Sequence, residues 1–215
     1  MEKRKKLLNT FGIILLFLLP AFLFQWAYQS EILSDIVKAV QSHIALYLFI
    51  LTLLKGFSIV YPPMPGVVFT IASIPLVGWK LAYSADILGS YFGATVSYFL
   101  GKKYGYTILE KVIGSALADK IISIKLKQKN QVEAAIFLRF AAGGLISDGL
   151  AWGASLIGFK YMSFITGYLV SHILTTLPVF YLISISISYQ SWAIGGVGVV
   201  FAWLILYRFK GRYFE

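Results

Sequence analysis

The chain has 215 residues, a mean hydropathy of +0.78 and only 13% charged side chains, which excludes an ordinary soluble domain and points to an integral membrane protein. It has no cysteine, so no disulfide framework or thiolate site is available. The net charge of +10 does not indicate a nucleic-acid binder, because the basic residues flank apolar segments instead of forming a soluble basic face.

In chain order, Glu2-Lys3-Arg4-Lys5-Lys6 precedes an apolar run that predicts a transmembrane helix over 7–28, uncleaved because no small-x-small site follows. A short polar segment carries Glu31, Asp35 and Lys38. Residues 44–79 are apolar but are interrupted at Tyr61-Pro62-Pro63-Met64-Pro65-Gly66, where the prolines stop any helix. This predicts a hairpin of 44–60 and 66–79, either re-entrant or two full spans. A helix over 83–101 follows, with Ser84, Gly89, Gly93 and Ser97 suited to close packing. Residues 102–131 carry seven lysines between apolar positions such as Ile108, Val112, Leu117, Ile121 and Ile124. They predict an amphipathic connector on the membrane surface, with a solvated connecting helix as the alternative. A second interrupted segment, 132–157, breaks around Arg139-Phe140-Ala141-Ala142-Gly143-Gly144. At about 1.5 Å per residue it is too short for two spans. Transmembrane helices over 160–181 and 192–207 and a basic tail complete the chain.

Fourteen of the nineteen basic residues sit at the N-terminus, in the connector and in the tail. A topology with all three in the cytoplasm satisfies the positive-inside rule. It makes hairpin plus helix 44–101 start from the outside and hairpin plus helix 132–181 start from the inside. The predicted fold is therefore an all-α integral membrane protein in one domain, an inverted repeat of re-entrant hairpin plus transmembrane helix, with one extra transmembrane helix at each end. The two tips are expected to meet near the bilayer midplane.

Pro65-Gly66, then Gly89-x3-Gly93-Ala94-x3-Tyr98-x2-Gly101-Lys102-Lys103-x-Gly105, and later Phe137-Leu138-Arg139-Phe140 with Gly153-Ala154, resemble the DedA, or SNARE-associated Golgi protein (VTT-domain), membrane family over roughly 44–181. Where that family usually carries an acidic residue after Pro-Gly, this chain has Val67, and the aspartate often found in the glycine-rich helix is Ala94. The chain thus resembles a divergent member. The resemblance implies a lipid transporter or scramblase that moves phospholipid or polyprenyl-phosphate between leaflets without ATP, and it implies membrane lipids as partners.

Ionisable groups within a bilayer are costly and mark candidate sites. Arg139 offers a planar fork matched to phosphate oxygens, or else an internal ion pair with Asp148 across the break. Lys55 is a second phosphate ligand if hairpin one is re-entrant. Pro65, Gly66, Gly143 and Gly144 would expose backbone amides at the tips. Asp86, Asp148 and His172 are the candidates for proton or ion coupling; for Asp86 the alternative is an interfacial place near a helix start, and for His172 a buried hydrogen-bonded one. His43 and His172 are too few for a histidine-rich metal site, so no metal or cofactor is expected. No hydrolase elbow, phosphate-binding loop or zinc-protease motif occurs, so no enzyme is predicted. Two further readings stay open, a proton- or ion-coupled small-solute transporter and a non-transporting scaffold of membrane biogenesis, as does a homo-oligomer. The expected location is a bacterial plasma membrane with both termini cytoplasmic.

Overall fold

The computed structural model describes residues 31–188 except Pro65, Lys127 and Gly143. The spans expected over 7–28 and 192–207, the placement of both termini, and Pro65 and Gly143 as tip residues lie outside the described residues. Among the described residues every regular element is helical and no strand occurs. The chain divides into two compact units, 1–44 and 45–215. In the first, α1 (Glu31–Ser42) forms where the sequence predicts a polar link. Its exposed Asp35–Lys38 pair, 3.6 Å apart, adds little stability. The Ser42 hydroxyl donates to the Ala39 carbonyl at 2.8 Å in the last turn.

The second unit opens on a helical hairpin. Its outward arm is α2 (Ile44–Val60) and its return arm is α3 (Gly66–Ala72) followed by α4 (Ile74–Val77). The last helical bond of α2 runs from the Tyr61 amide to the Phe57 carbonyl; Pro62 and Pro63 then have no N–H to continue it, and the Met64 amide closes the turn on Tyr61. The arms are antiparallel. Gly66 lies against Ser58 near the tip, and Tyr47 and Ser73 share a 2.7 Å hydroxyl hydrogen bond near the base.

Gly78, at φ +80°, reverses the chain into the long helix α5 (Trp79–Ile113). Gly158, at φ +92°, does the same ahead of residue 161. Helix α5 therefore starts four residues earlier than the predicted 83 and continues past 101, with a break at Gly105 (φ +67°). Gly114 separates it from α6 (Ser115–Ile122). The predicted 102–131 connector is thus several short pieces, ending in a 3₁₀ turn at Gln128–Asn130. Nor does its apolar side face outward. Leu109, Ala118 and Ile121 are buried and pack on Leu150 and Trp152, while Lys102, Lys103, Lys111, Lys120, Lys125 and Lys129 are exposed. The reason is local: Gly149 and Gly153 present a smooth face that receives Ile113 and Ile121. Tyr106 donates to Asp119 at 2.6 Å across the Gly114 bend, and this bond pushes its phenol up to about 12.

A second antiparallel hairpin follows, α7 (Gln131–Ala142) and α8 (Gly144–Gly153), and then α9 (Tyr161–Ser188). Gln131 ties its base: its amide donates to the Gly158 carbonyl at 3.3 Å, and its side-chain oxygen accepts from the Lys160 amide at 2.8 Å.

The two hairpin-plus-helix segments pack alike. Helix α2 runs parallel to α5, with Gly56 against Gly89 and Gly93, and Ser97 donating to the Ile59 carbonyl at 3.4 Å. Helix α7 runs parallel to α9, with Val132, Ala135 and Ile136 against Gly167. The long helices α5 and α9 pair antiparallel: Trp79 meets Tyr181, Tyr83 meets Phe180, Thr95 meets Tyr161, and Tyr98 donates to the Phe159 carbonyl at 2.7 Å. Trp152, at the end of α8 far from its tip, donates its indole N–H to the Val60 carbonyl at 3.2 Å, so the first tip rests on the base of the second hairpin.

Lys55, Thr70, Asp86, Ser90, Ser97 and His172 are buried, while Leu46, Phe49, Leu53 and Phe57 on α2, and Leu88, Phe92, Val96 and Phe99 on α5, are exposed. Among the described residues one helix, Tyr161–Ile185 within α9, is by itself long and apolar enough to cross a membrane.

A Cβ at Gly89 would lie 2.6 Å from both the Lys55 Cβ and the Thr52 carbonyl oxygen, with backbone on one side that cannot give. Gly89→Leu is therefore expected to separate α2 from α5 and to cost about 1–3 kcal/mol or more, read as a lowered midpoint of thermal unfolding in detergent. Val96→Leu, at an exposed position of the same helix, should leave that midpoint nearly unchanged.

Candidate functional site

Four of the ionisable residues singled out from the sequence converge in the second unit. Asp86, on α5, is fully buried. Its Oδ1 lies 3.1 Å from Lys55 Nζ and accepts from the Thr70 hydroxyl at 2.9 Å; its Oδ2 lies 2.6 Å from His172 Nε2. On the other side of the imidazole, His172 Nδ1 is 2.8 Å from an Arg139 Nη2. A guanidinium can only donate, so Nδ1 accepts. Nε2 then carries the imidazole hydrogen and donates to Asp86. This pattern fixes the neutral tautomer of His172 between a carboxylate and a cation. Ser90 Oγ lies 3.3 Å from the same Nε2.

The order is thus Lys55, Asp86, His172, Arg139, and it follows the packing of the helices. Lys55 and Arg139 stand on the outward arms of the two hairpins; Asp86 and His172 stand on the two long helices. Each outward arm runs parallel to its long helix, and the antiparallel contact of α5 with α9 joins the two pairs. The halves differ in charge. Lys55 meets an anion, whereas Arg139 meets a neutral ring.

Arg139 is held by more than His172. Its guanidinium carbon sits 3.8 Å from the centroid of the Tyr168 ring, a cation–π contact that covers one face. The Tyr168 and His172 rings lie nearly parallel, at 4°, one helical turn apart on α9. Arg139 Nη1 is buried and has no hydrogen-bond partner among the described residues. A cavity of about 10 Å³, room for roughly one water, abuts Arg139 and is otherwise walled mainly by Leu138, Leu150, Phe159 and Phe164. A buried donor left unpaired usually costs about 1–3 kcal/mol, so this cation is poised for an acceptor.

Asp86 is covered by protein on every side. With α5 beginning at Trp79 and hairpin one folded over it, residue 86 lies two turns into a covered helix. Among the described residues Lys55 is paired with Asp86, whereas Arg139 keeps a buried donor without a partner. Gly66 lies beside Ser58 and Lys55, packed tightly against the outward arm. Gly144 begins α8. Asp148 lies on α8, but the side chains of 141–148 are outside the described ones, and so is any Arg139–Asp148 pair. Thr70, Ser90 and Tyr168 also join the site and carry no charge to mark them in the sequence. For two of them a signal existed: Ser90 stands four residues after Asp86, and Tyr168 four before His172, on the same helical faces. Among the described residues no group of three or more His, Cys, Asp or Glu gathers to hold a metal.

No family model matches the chain, and no solved structure matches it. An uncharacterized protein of Methanocaldococcus jannaschii is similar to it, 41% identical over 61 residues. That match covers 27% of this chain and 38% of the archaeal protein, well under two thirds of its length, and its name carries no activity.

Removing one member of a buried ion pair strands the other charge. Asp86→Asn is therefore expected to destabilise the protein by about 3–5 kcal/mol, and the double variant Lys55→Met/Asp86→Asn to recover part of that loss. Thermal unfolding of the four proteins of this cycle in detergent checks it. Simple additivity of the two single losses would show that the 3.1 Å contact carries no coupling.

Proposed function

We propose that this chain is a multi-pass membrane protein of the DedA/VTT type, which moves a phosphate-bearing lipid between leaflets without ATP, with Arg139 as the headgroup ligand. Three observations support the membrane part. Buried charged and hydroxyl side chains sit among the apolar core, and many large apolar side chains are exposed on the outer faces of the helices. Helix Tyr161–Ile185 has the length and composition of a span. The exposed lysines gather on the connector, as the positive-inside rule wants for a cytoplasmic segment. The antiparallel α5/α9 pair, each with a parallel arm, is the arrangement that an inverted-topology repeat of hairpin plus helix would have, with both hairpins re-entrant. The archaeal relative is as compatible with an archaeal cell membrane as with the bacterial one expected from the sequence.

The observation that carries the transport reading is the open Arg139 Nη1 at the end of an otherwise paired buried network. A lipid phosphate would give that donor its acceptor while its acyl chains stayed in the bilayer. The alternative is a proton- or ion-coupled solute transporter, favoured by the 2.6 Å contact of Asp86 with His172. We place it second because both Asp86 oxygens are already engaged by Lys55, Thr70 and His172.

The test is movement of a fluorescent phospholipid across vesicles containing the full chain, read by dithionite bleaching of the outer leaflet. Loss of a charge-assisted hydrogen bond worth about 1.5–3 kcal/mol predicts that Arg139→Ala slows transfer about tenfold to a hundredfold. Arg139→Lys keeps the charge without the fork and should recover part of the rate. Undiminished transfer in Arg139→Ala would sink the headgroup role.

A further inference from the structure

The exposed lysines of the second unit gather at one end of it. Lys102, Lys103, Lys111, Lys120, Lys125 and Lys129 are exposed on the connector, and Lys160 is exposed just ahead of α9. Two contacts bring these stretches together. Tyr98, one turn before Lys102, donates to the Phe159 carbonyl, and the Lys160 amide donates to Gln131, two residues after Lys129. With Lys127, the stretches carry eight lysines. Their acids are Glu110, Asp119 and Glu133, and with Asp148 of α8 counted as a fourth the net charge is still +4. Residues 1–30 and 189–215 hold seven basic side chains and two acidic ones, so no acidic segment of the chain is left to cover the lysines.

The neighbours of these lysines identify the partner. On α5 the exposed Leu88, Phe92, Val96 and Phe99 run up to Lys102 and Lys103, and next to Lys160 the exposed side chain is Met162. Tyr104 is exposed at the same level, with Lys103 Nζ 5.0 Å from its ring centroid. A cationic rim that follows directly on an apolar flank, with an aromatic ring at the junction, suits a lipid interface. Nucleic acid or an acidic protein would have no use for the flank. The connector itself has Leu109, Ala118 and Ile121 packed on α8, so these residues cannot insert between lipids and charge has to hold it at the surface. We propose that this lysine-bearing end is a binding surface for the headgroups of anionic phospholipids in the leaflet that it faces. The proposal rests on the membrane reading above and is independent of Arg139. Clusters of about four to eight basic residues beside a spanning helix attract anionic lipid in this way. The surface gathers such lipid around the base of the second hairpin.

The experiment measures how fast an amine-acetylating reagent labels each lysine of the full chain, read by peptide mass spectrometry. The chain is held in nanodiscs of phosphatidylcholine alone or of phosphatidylcholine mixed with phosphatidylglycerol. Lys80 is the internal control. It is exposed near the start of α5, about 33 Å from Lys102 at roughly 1.5 Å per residue, so it reports the general effect of a charged bilayer on the reagent and on local pH. Phosphatidylglycerol should slow labelling of the connector lysines about fivefold relative to Lys80, the weight of one lysine at an anionic surface. At about 1 M salt, where the Debye length is ~3 Å, that protection should disappear. The triple variant Lys111→Gln/Lys120→Gln/Lys125→Gln changes exposed side chains only. It should keep its unfolding midpoint in neutral detergent and retain fewer phosphatidylglycerol molecules after extraction, counted by native mass spectrometry. No slowing, equal slowing of Lys80 and the connector, or an unchanged lipid count in the variant would overturn the headgroup surface and leave the membrane reading standing. Loss of the wild-type chain from vesicles in an alkaline carbonate wash would instead overturn the membrane reading itself.

Discussion

A single buried carboxylate organises the second unit. Asp86 takes its three contacts from three elements: Lys55 on the outward arm of the first hairpin, Thr70 on its return arm and His172 on the last long helix. Burying a carboxylate is costly unless every lone pair finds a donor, so these elements have to arrive together. Through the His172 ring the same requirement reaches Arg139 and the second hairpin. An apolar seam could hold the helices as firmly. What the ionic chain adds is register, since sliding any of the four helices by a turn would strand a charge.

The two halves share a geometry and differ in chemistry. Each has a cation on an outward arm facing a partner on a parallel long helix. In the first half the partner is an anion, and the pair is closed. In the second it is an imidazole held neutral by its own hydrogen bonds, and the cation stays open on one edge. Were His172 an aspartate, Arg139 would be neutralised and no reason would remain for an external acceptor. Were Asp86 a histidine, Lys55 would stand as a second uncompensated charge in the interior. The asymmetry leaves Arg139 with an open donor while Lys55, Asp86 and His172 are paired.

The breaks in the chain were legible because they are local. Pro62 and Pro63 remove donors wherever the chain goes, and paired glycines interrupt a short helix in any context. Lys55, Asp86, Arg139 and His172 were legible as candidates because each is costly in an apolar segment. Their partners were not, since pairing depends on which helices touch. Arg139 meets His172, on a helix that starts twenty-two residues after it, and no spacing in the sequence marks that contact. Asp86 was misplaced by a boundary: four extra residues at the start of α5 carry it from a helix end into a covered interior. Thr70 and Tyr168 carry no charge and so gave no alarm, although Tyr168 lies one turn from His172. The lysine-rich connector has the composition of a surface helix, and only the glycine face of α8 reveals that its apolar side is taken by protein.

The same small residues tie the packing to the electrostatics. Gly56 adjoins Lys55, Gly89 lies within one turn of Asp86, and Gly167 adjoins Tyr168 under the Arg139 guanidinium. Each lets a neighbouring backbone approach where a side chain would hold it off, and each does so next to a charge. Close approach excludes water, and excluding water strengthens every interaction among the groups it encloses. A looser parallel pair would hydrate Lys55 and Arg139 and weaken the contacts that hold them. The glycines that set the distance between arm and long helix therefore also set how strongly Asp86, His172 and Tyr168 hold the two cations.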